Sequence, residues 1–168
     1  MMKILIFGDT HSHLDESLLP WMEKADEIWH TGDIGNSDLA LKLSTYKTFR
    51  AVYGNIDGAL IRKMFPKEIL FQLEGFNIFM THIGGYPGKY STGIKEKLIH
   101  FKPDIFICGH SHILKVMRDE NLYNLLYLNP GAMGKEGFHL VKTALWLEIE
   151  NKKIKSLEVI EFGKRGEL

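Results

Sequence analysis

Lys3-Ile4-Leu5-Ile6-Phe7-Gly8-Asp9-Thr10-His11 carries a pattern that returns four more times along the chain. A short apolar run rich in Ile and Phe reads as a strand buried on both faces. Gly8 stops it, and side chains able to bind a metal follow at once. The device recurs at Gly32-Asp33, at Gly54-Asn55, at Thr81-His82 and at Gly109-His110-Ser111-His112. In sheets with parallel strands, ligands bind beyond the carboxyl ends of the strands. Five such endings can deliver their side chains to one crevice. Residues at i and i+2 in extended backbone point the same way. Asp9 with His11, and His110 with His112, are each expected to aim two groups at a common volume.

Working outward, Asp15 or Ser17 is placed to cap a helix running to about Lys24, and Asp26 to His30 reads as a second strand. Ser37 or Asp38 opens a further helix, and Phe49 to Tyr53 is a third strand. This rhythm implies βαβ units with parallel pairing. Residues 68–73 and 76–80 flank Glu74-Gly75 as a hairpin. Thr92 to Phe101 reads as a helix and Asp104 to Cys108 as another buried strand. Only strands follow: 114–118 with 122–128, and 141–149 with 154–162. The expected fold class is α/β: two packed mixed β-sheets, a β-sandwich, flanked by helices. Neither a linker nor an internal repeat interrupts residues 1–168, which are read as one domain.

Composition is that of an ordinary globular protein. Lys plus Arg and Asp plus Glu both number 21, so the formal charge is zero. That argues against a broad basic surface for nucleic acid, and stable nucleic-acid binding is not expected. An enzyme acting on nucleotides through bound metal stays compatible, because divalent ions add local positive charge. Cys108 is the only cysteine, so no intrachain disulfide can form. It reads as a small core residue. The first nine residues are too soon interrupted by charge for a signal peptide, and no apolar run approaches the ~20 residues of a membrane span. The expected setting is the cytoplasm, away from membranes.

Imidazole, carboxylate and an amide oxygen together suit borderline divalent ions such as Mn, Fe, Co, Ni or Zn. Seven donors (Asp9, His11, Asp33, Asn55, His82, His110 and His112) exceed what one open catalytic metal uses. They suit two metals ~3.5–4 Å apart that share a carboxylate. Taken singly, Asp9, Asp33 and Asn55 beside glycines are turn residues; four histidines at the same kind of strand ending favour the metal reading.

The ordered set Gly8-Asp9-Thr10-His11, Gly32-Asp33, Gly54-Asn55, His82 and Gly109-His110-Ser111-His112 resembles the motifs of calcineurin-like metallophosphoesterases. The resemblance spans roughly residues 3–131. The short length, Asp9-Thr10-His11, Asn55-Ile56-Asp57 and Asn129-Pro130-Gly131 are most similar to its small phosphodiesterase branch. The resemblance implies a four-layer fold and a partition of ligands. Asp9, His11 and His112 would hold one metal, Asn55, His82 and His110 the other, and Asp33 would bridge them. It further implies a small phosphoester substrate, foremost a phosphodiester, hydrolysed by a hydroxide bridging two divalent metals, Mn foremost. Asp33 and Asn55 would carry the catalytic roles. Many members of the superfamily place a histidine directly after the motif asparagine; here that position is Ile56, which leaves the general acid unassigned. A scaffold reading runs beside the enzyme, since the retromer's phosphoesterase-like subunit is similar to this branch and acts through protein contacts. A nuclease is the third reading, disfavoured by short length and neutral charge. A homo-oligomer is compatible with the sequence.

His30 is expected to pack or to support the ligands, and His13 to face the cleft only as the minor reading. His100 and His139 are read as surface or packing residues. Gly84 to Gly88 reads as a flexible loop beside the site, and Asn129-Pro130-Gly131 as its support.

Overall fold

The computed structural model describes residues 1–166. β1 (Met2–Phe7) explains the layering. Ile4 and Ile6 face one way, into a cluster with Trp29, Ile78, Ile107 and Leu145. Leu5 and Phe7 face the other way, into a cluster with Leu18, Met22, Leu39 and Trp146. A strand apolar on both faces must be covered on both.

β2 (Glu27–His30) and β3 (Thr48–Ala51) continue from β1 in parallel. β11 (Val141–Glu150) and β12 (Lys153–Lys164) join its other side antiparallel, giving the order β12-β11-β1-β2-β3. α1 (Leu19–Lys24), α2 (Ser37–Tyr46) and α3 (Ala59–Met64) contribute to the cluster on the outer face. The second sheet has β4 (Glu68–Leu73), β5 (Phe76–Thr81), β8 (Ile105–Ile107), β9 (Lys115–Asp119) and β10 (Leu125–Asn129) in the order β4-β5-β8-β10-β9. β5, β8 and β10 run parallel to one another. α4 (Ile94–Phe101) packs Ile94 and Leu98 on its outer face against Phe79, Phe106 and Tyr127. The apolar middle layer between the sheets makes this the four-layer α/β sandwich expected from the sequence.

Differences from the expected elements are local. The first helix begins as a single 3-10 turn, Glu16–Leu18, whose cap is Asp15, accepting from the Ser17 N–H. Asn36, not Ser37 or Asp38, caps α2, its Oδ1 accepting from the Leu39 N–H. α3 was not expected; its six residues bury one apolar side chain, Ile61, which leaves no periodic signal. The stretch after His82 is not a plain loop. β6 (Gly85–Tyr86) and β7 (Lys89–Tyr90) pair within it, and the Tyr127 hydroxyl donates to the Gly85 carbonyl at 2.6 Å. Cys108 is buried as expected, its thiol contacting Tyr127 Oη at 3.2 Å, and burial pushes the thiol up to about 12.

Candidate metal centre

The parallel strands of both sheets end at the same edge of the sandwich. Asp9 and His11 follow β1, Asp33 follows β2, and Asn55 follows β3. From the other sheet, His82 follows β5, and His110 and His112 follow β8. Asp9, His11 and His112 form one group whose ligand atoms lie within 4.8 Å of one another; Asp33, His82 and His110 form a second. Asn55 joins the second, its Oδ1 3.0 Å from His82 Nε2. His82 Nε2 is also 3.2 Å from Asp33 Oδ2, and His112 Nε2 is 3.2 Å from Asp9 Oδ1. Asp33 Oδ2 lies 3.7 Å from His11 Nε2, so this carboxylate touches both groups.

The pairs converge, but not through extended backbone as the i, i+2 argument assumed. Asp9, His11, Asp33, His110 and His112 all have positive φ, between 47° and 69°. Left-handed conformations cost a non-glycine residue free energy and persist where surroundings impose them, which is common at functional sites. Here the surroundings are a backbone ladder: Asp9, His11 and Ser12 donate N–H bonds to the carbonyls of Gly32, Asp33 and Ile34. Close packing adds to it. A Cβ at Gly54 would run into the Asp33 carboxylate, and one at Gly32 would run into the His82 ring. The glycines after the strands thus serve to let ligand side chains lie against backbone.

Neighbouring groups orient the imidazoles. His82 Nδ1–H donates to the Thr31 carbonyl at 2.8 Å, which turns Nε2 toward Asp33 and Asn55. His139 does the same for His112. His139 Nε2–H donates to the Gly134 carbonyl at 3.0 Å, so its Nδ1 is left as an acceptor for His112 Nδ1–H at 3.3 Å. His112 Nε2 then faces Asp9. His139 is therefore a buried positioning residue, a role sequence reasoning missed; no motif surrounds it. Asp57 was missed too. Its buried carboxylate accepts from the N–H groups of Ile34, Gly35 and Gly54, tying the loops that carry Asp33 and Asn55. Only its place after Asn55-Ile56 could have signalled it.

The supporting assignments find places as well. Asn129 Nδ2 donates to the Gly109 carbonyl and to Ser111 Oγ, holding the His110 loop. His30 is fully buried. Its Nδ1 accepts from the Gly32 N–H, and Nε2–H donates to Thr10 Oγ1, which in turn donates to the Ile34 carbonyl. Burial first, then the nearby His82, drives its pKa down to about 3. His13 belongs to neither ligand group and lines a separate cavity with Lys135 and Lys142.

Charge at the centre favours a cation. Burial opposes ionisation of Asp33, yet the His82 hydrogen bond, helped by the Ile56 N–H, holds its carboxyl below the ordinary range. Burial likewise opposes charge on His82, but the Asp33 and Asp9 carboxylates outweigh it and raise the imidazole. Burial, followed by repulsion from His82, lowers His110. Asp9 Oδ1 and His11 Nε2 are buried without a hydrogen-bond partner. Buried polar atoms left unbonded are costly unless something else pairs with them. A divalent ion in the Asp9, His11, His112 group would satisfy both, and nitrogen and oxygen donors fit such an ion.

A mixed two-sheet sandwich with clustered Asp, Asn and His donors over its parallel strand ends has the makings of a metal-binding domain. The chain belongs to the calcineurin-like phosphoesterase superfamily, whose domain profile matches residues 2–152. A probable metallophosphoesterase of Methanothermobacter thermautotrophicus is 26% identical over 136 residues, covering 78% of this chain and 77% of that protein. Among solved structures, Vps29 of Entamoeba histolytica complexed with zinc superposes with a TM-score of 0.75 at 18% identity, over 96% of this chain and 98% of that one. A predicted phosphoesterase from Streptococcus pneumoniae gives 0.70 at 21% identity, over 95% and 89%. Among the described residues, no helix is long and apolar enough to cross a membrane.

Proposed function

We propose that this protein is a metal-dependent phosphodiesterase with a dinuclear centre. The observation that carries the reading is the carboxylate of Asp33, in reach of donors from both ligand groups. Asp9, His11 and His112 would hold one ion, and Asn55, His82 and His110 the other, with Asp33 shared. A divalent pair, Mn foremost, supplies a hydroxide nucleophile at neutral pH and positive charge for the phosphoryl oxygens.

The chain's own residues do the rest. Thr31 and His139 hold the tautomers that present Nε2 of His82 and His112 to the site. Asn55, exposed at the mouth, can donate from its amide nitrogen to a phosphoryl oxygen while its Oδ1 faces His82. Ile56 offers no proton to a leaving oxygen, which favours esters whose leaving groups depart unprotonated. Asp33→Asn is expected to abolish nearly all Mn-stimulated hydrolysis of bis-p-nitrophenyl phosphate while the circular dichroism spectrum stays unchanged. Near-normal rates in that variant would overturn the assignment.

A Vps29-like binding scaffold is the second reading, favoured by Ile56, which is 46% exposed beside Asn55. Bound metal with no turnover of any diester or monoester would support it.

A further inference from the structure

The centre opens on one side into a cavity of about 520 Å³ that shares Asn55 and His82 with it. Three cations line this cavity, Arg62, Lys67 and Lys97, against one carboxylate, Glu68. Glu68 is committed to Lys97, with both oxygens within 2.7 Å of Nζ. Arg62 and Lys67 have no carboxylate partner among the described residues. Their rim is fixed in place. Arg62 Nε donates to the Asp57 carbonyl at 2.6 Å and Nη2 to the Asn55 carbonyl at 3.2 Å, with the guanidinium 4.7 Å over the Tyr53 ring. The Tyr53 N–H donates to the Pro66 carbonyl beside Lys67, and Thr81 Oγ1 donates to the carbonyl of Lys67 itself. The lining also includes apolar Ile83 and Ile94 and polar Ser91 and Thr92.

A cavity made only to admit water, or the plain aryl limb of a model diester, needs no unpaired positive charge. Arg62, held by two backbone carbonyls and the Tyr53 ring, and the Lys67 beside it put positive charge next to the reacting centre that an anionic ligand would complement. Tyr53 and the isoleucines suit a ring or a sugar between the two anions.

We propose that this cavity selects phosphoesters whose non-reacting limb carries a second anionic group, which Arg62 and Lys67 bind. The proposal rests on the phosphoesterase reading and supplies its substrate class. Arg62 would contribute a planar guanidinium fork, and Lys67 a mobile point charge. Nucleotide-like esters with a phosphate on the sugar fall in the class; bis-p-nitrophenyl phosphate does not.

Two pairs of probes test it on the Mn-loaded protein. For turnover, thymidine 3′-phosphate 5′-(p-nitrophenyl phosphate) is compared with the same ester lacking the 3′-phosphate. For binding without turnover, thymidine 3′,5′-bisphosphate is compared with thymidine 5′-phosphate by calorimetry. The extra phosphate should raise kcat/KM and affinity by about tenfold or more, the yield of one good charge-assisted contact. Lys67→Gln should remove part of that ratio, and Arg62→Gln with Lys67→Gln should bring it to about one. Equal affinities in the unmodified protein, or an advantage that survives the double substitution, would overturn the proposal. An affinity advantage with no turnover of any ester would leave this pocket standing and count against the hydrolytic reading.

Discussion

His112 presents Nε2 to the centre because His139 accepts the proton on its other nitrogen. Burial lowers the pKa of His139, which keeps it neutral and able to accept. Groups that orient a ligating imidazole typically change metal affinity 10–100-fold when removed. His139→Ala should therefore weaken divalent binding at the Asp9, His11, His112 group by about tenfold or more, read by competition with a chromogenic chelator. Unchanged affinity for both ions would show that His139 only fills space. His139 also marks where sequence reading stops. The seven candidate donors were legible because each falls within three residues after a glycine or threonine that ends or follows a strand. His139 lies among Glu136, Gly137, Phe138 and Leu140, with nothing local to link it to a ligand 27 positions earlier.

At the scale of elements, Asp57 ties the loop after β2 to the loop after β3 through three backbone N–H groups. Hydrogen bonds to a charged acceptor are strong, and breaking them leaves buried donors unpaired. Asp57→Ala should cost at least about 2 kcal/mol of stability by urea denaturation. It should also lower the occupancy of the Asn55 site, since Gly54 is one of the three donors. A loss under about 0.5 kcal/mol would mean that water replaces the carboxylate. The strands were legible from short apolar runs ended by glycine, and the hairpins from their turns. α3 and the β6–β7 ladder were not, because six residues with one buried side chain and two-residue strands leave no period to read. The convergence of Asp9 with His11 was foreseen from the wrong geometry. Positive φ at a non-glycine residue is imposed by partners such as the Gly32 and Asp33 carbonyls, which lie over twenty residues away in the chain.

Across the whole molecule, His30 links stability to pH. It is buried and neutral in the folded state, with its pKa down at about 3 against an ordinary 6.5. Below pH 6.5 the unfolded chain takes up a proton that the folded chain refuses. The stability tied to His30 is thus full above that pH and declines as pH falls toward 3, by up to about 1.4 kcal/mol per unit. Asp33, held below its ordinary range, loses its share in the acid range too, so the comparison needs a variant. His30→Gln should be less stable at pH 7.5 yet show a shallower loss between pH 6.5 and 4.5, measured by thermal melts. Parallel slopes in the two proteins would show that His30 takes up its proton without unfolding.

The donors are divided between the two sheets: Asp9, His11, Asp33 and Asn55 from one, His82, His110 and His112 from the other. A chain severed in the connection at Pro66 would leave an incomplete set on each fragment. Uptake of a coloured ion such as Co(II) would then report the rejoining of the fragments, so the centre doubles as a built-in sensor of assembly.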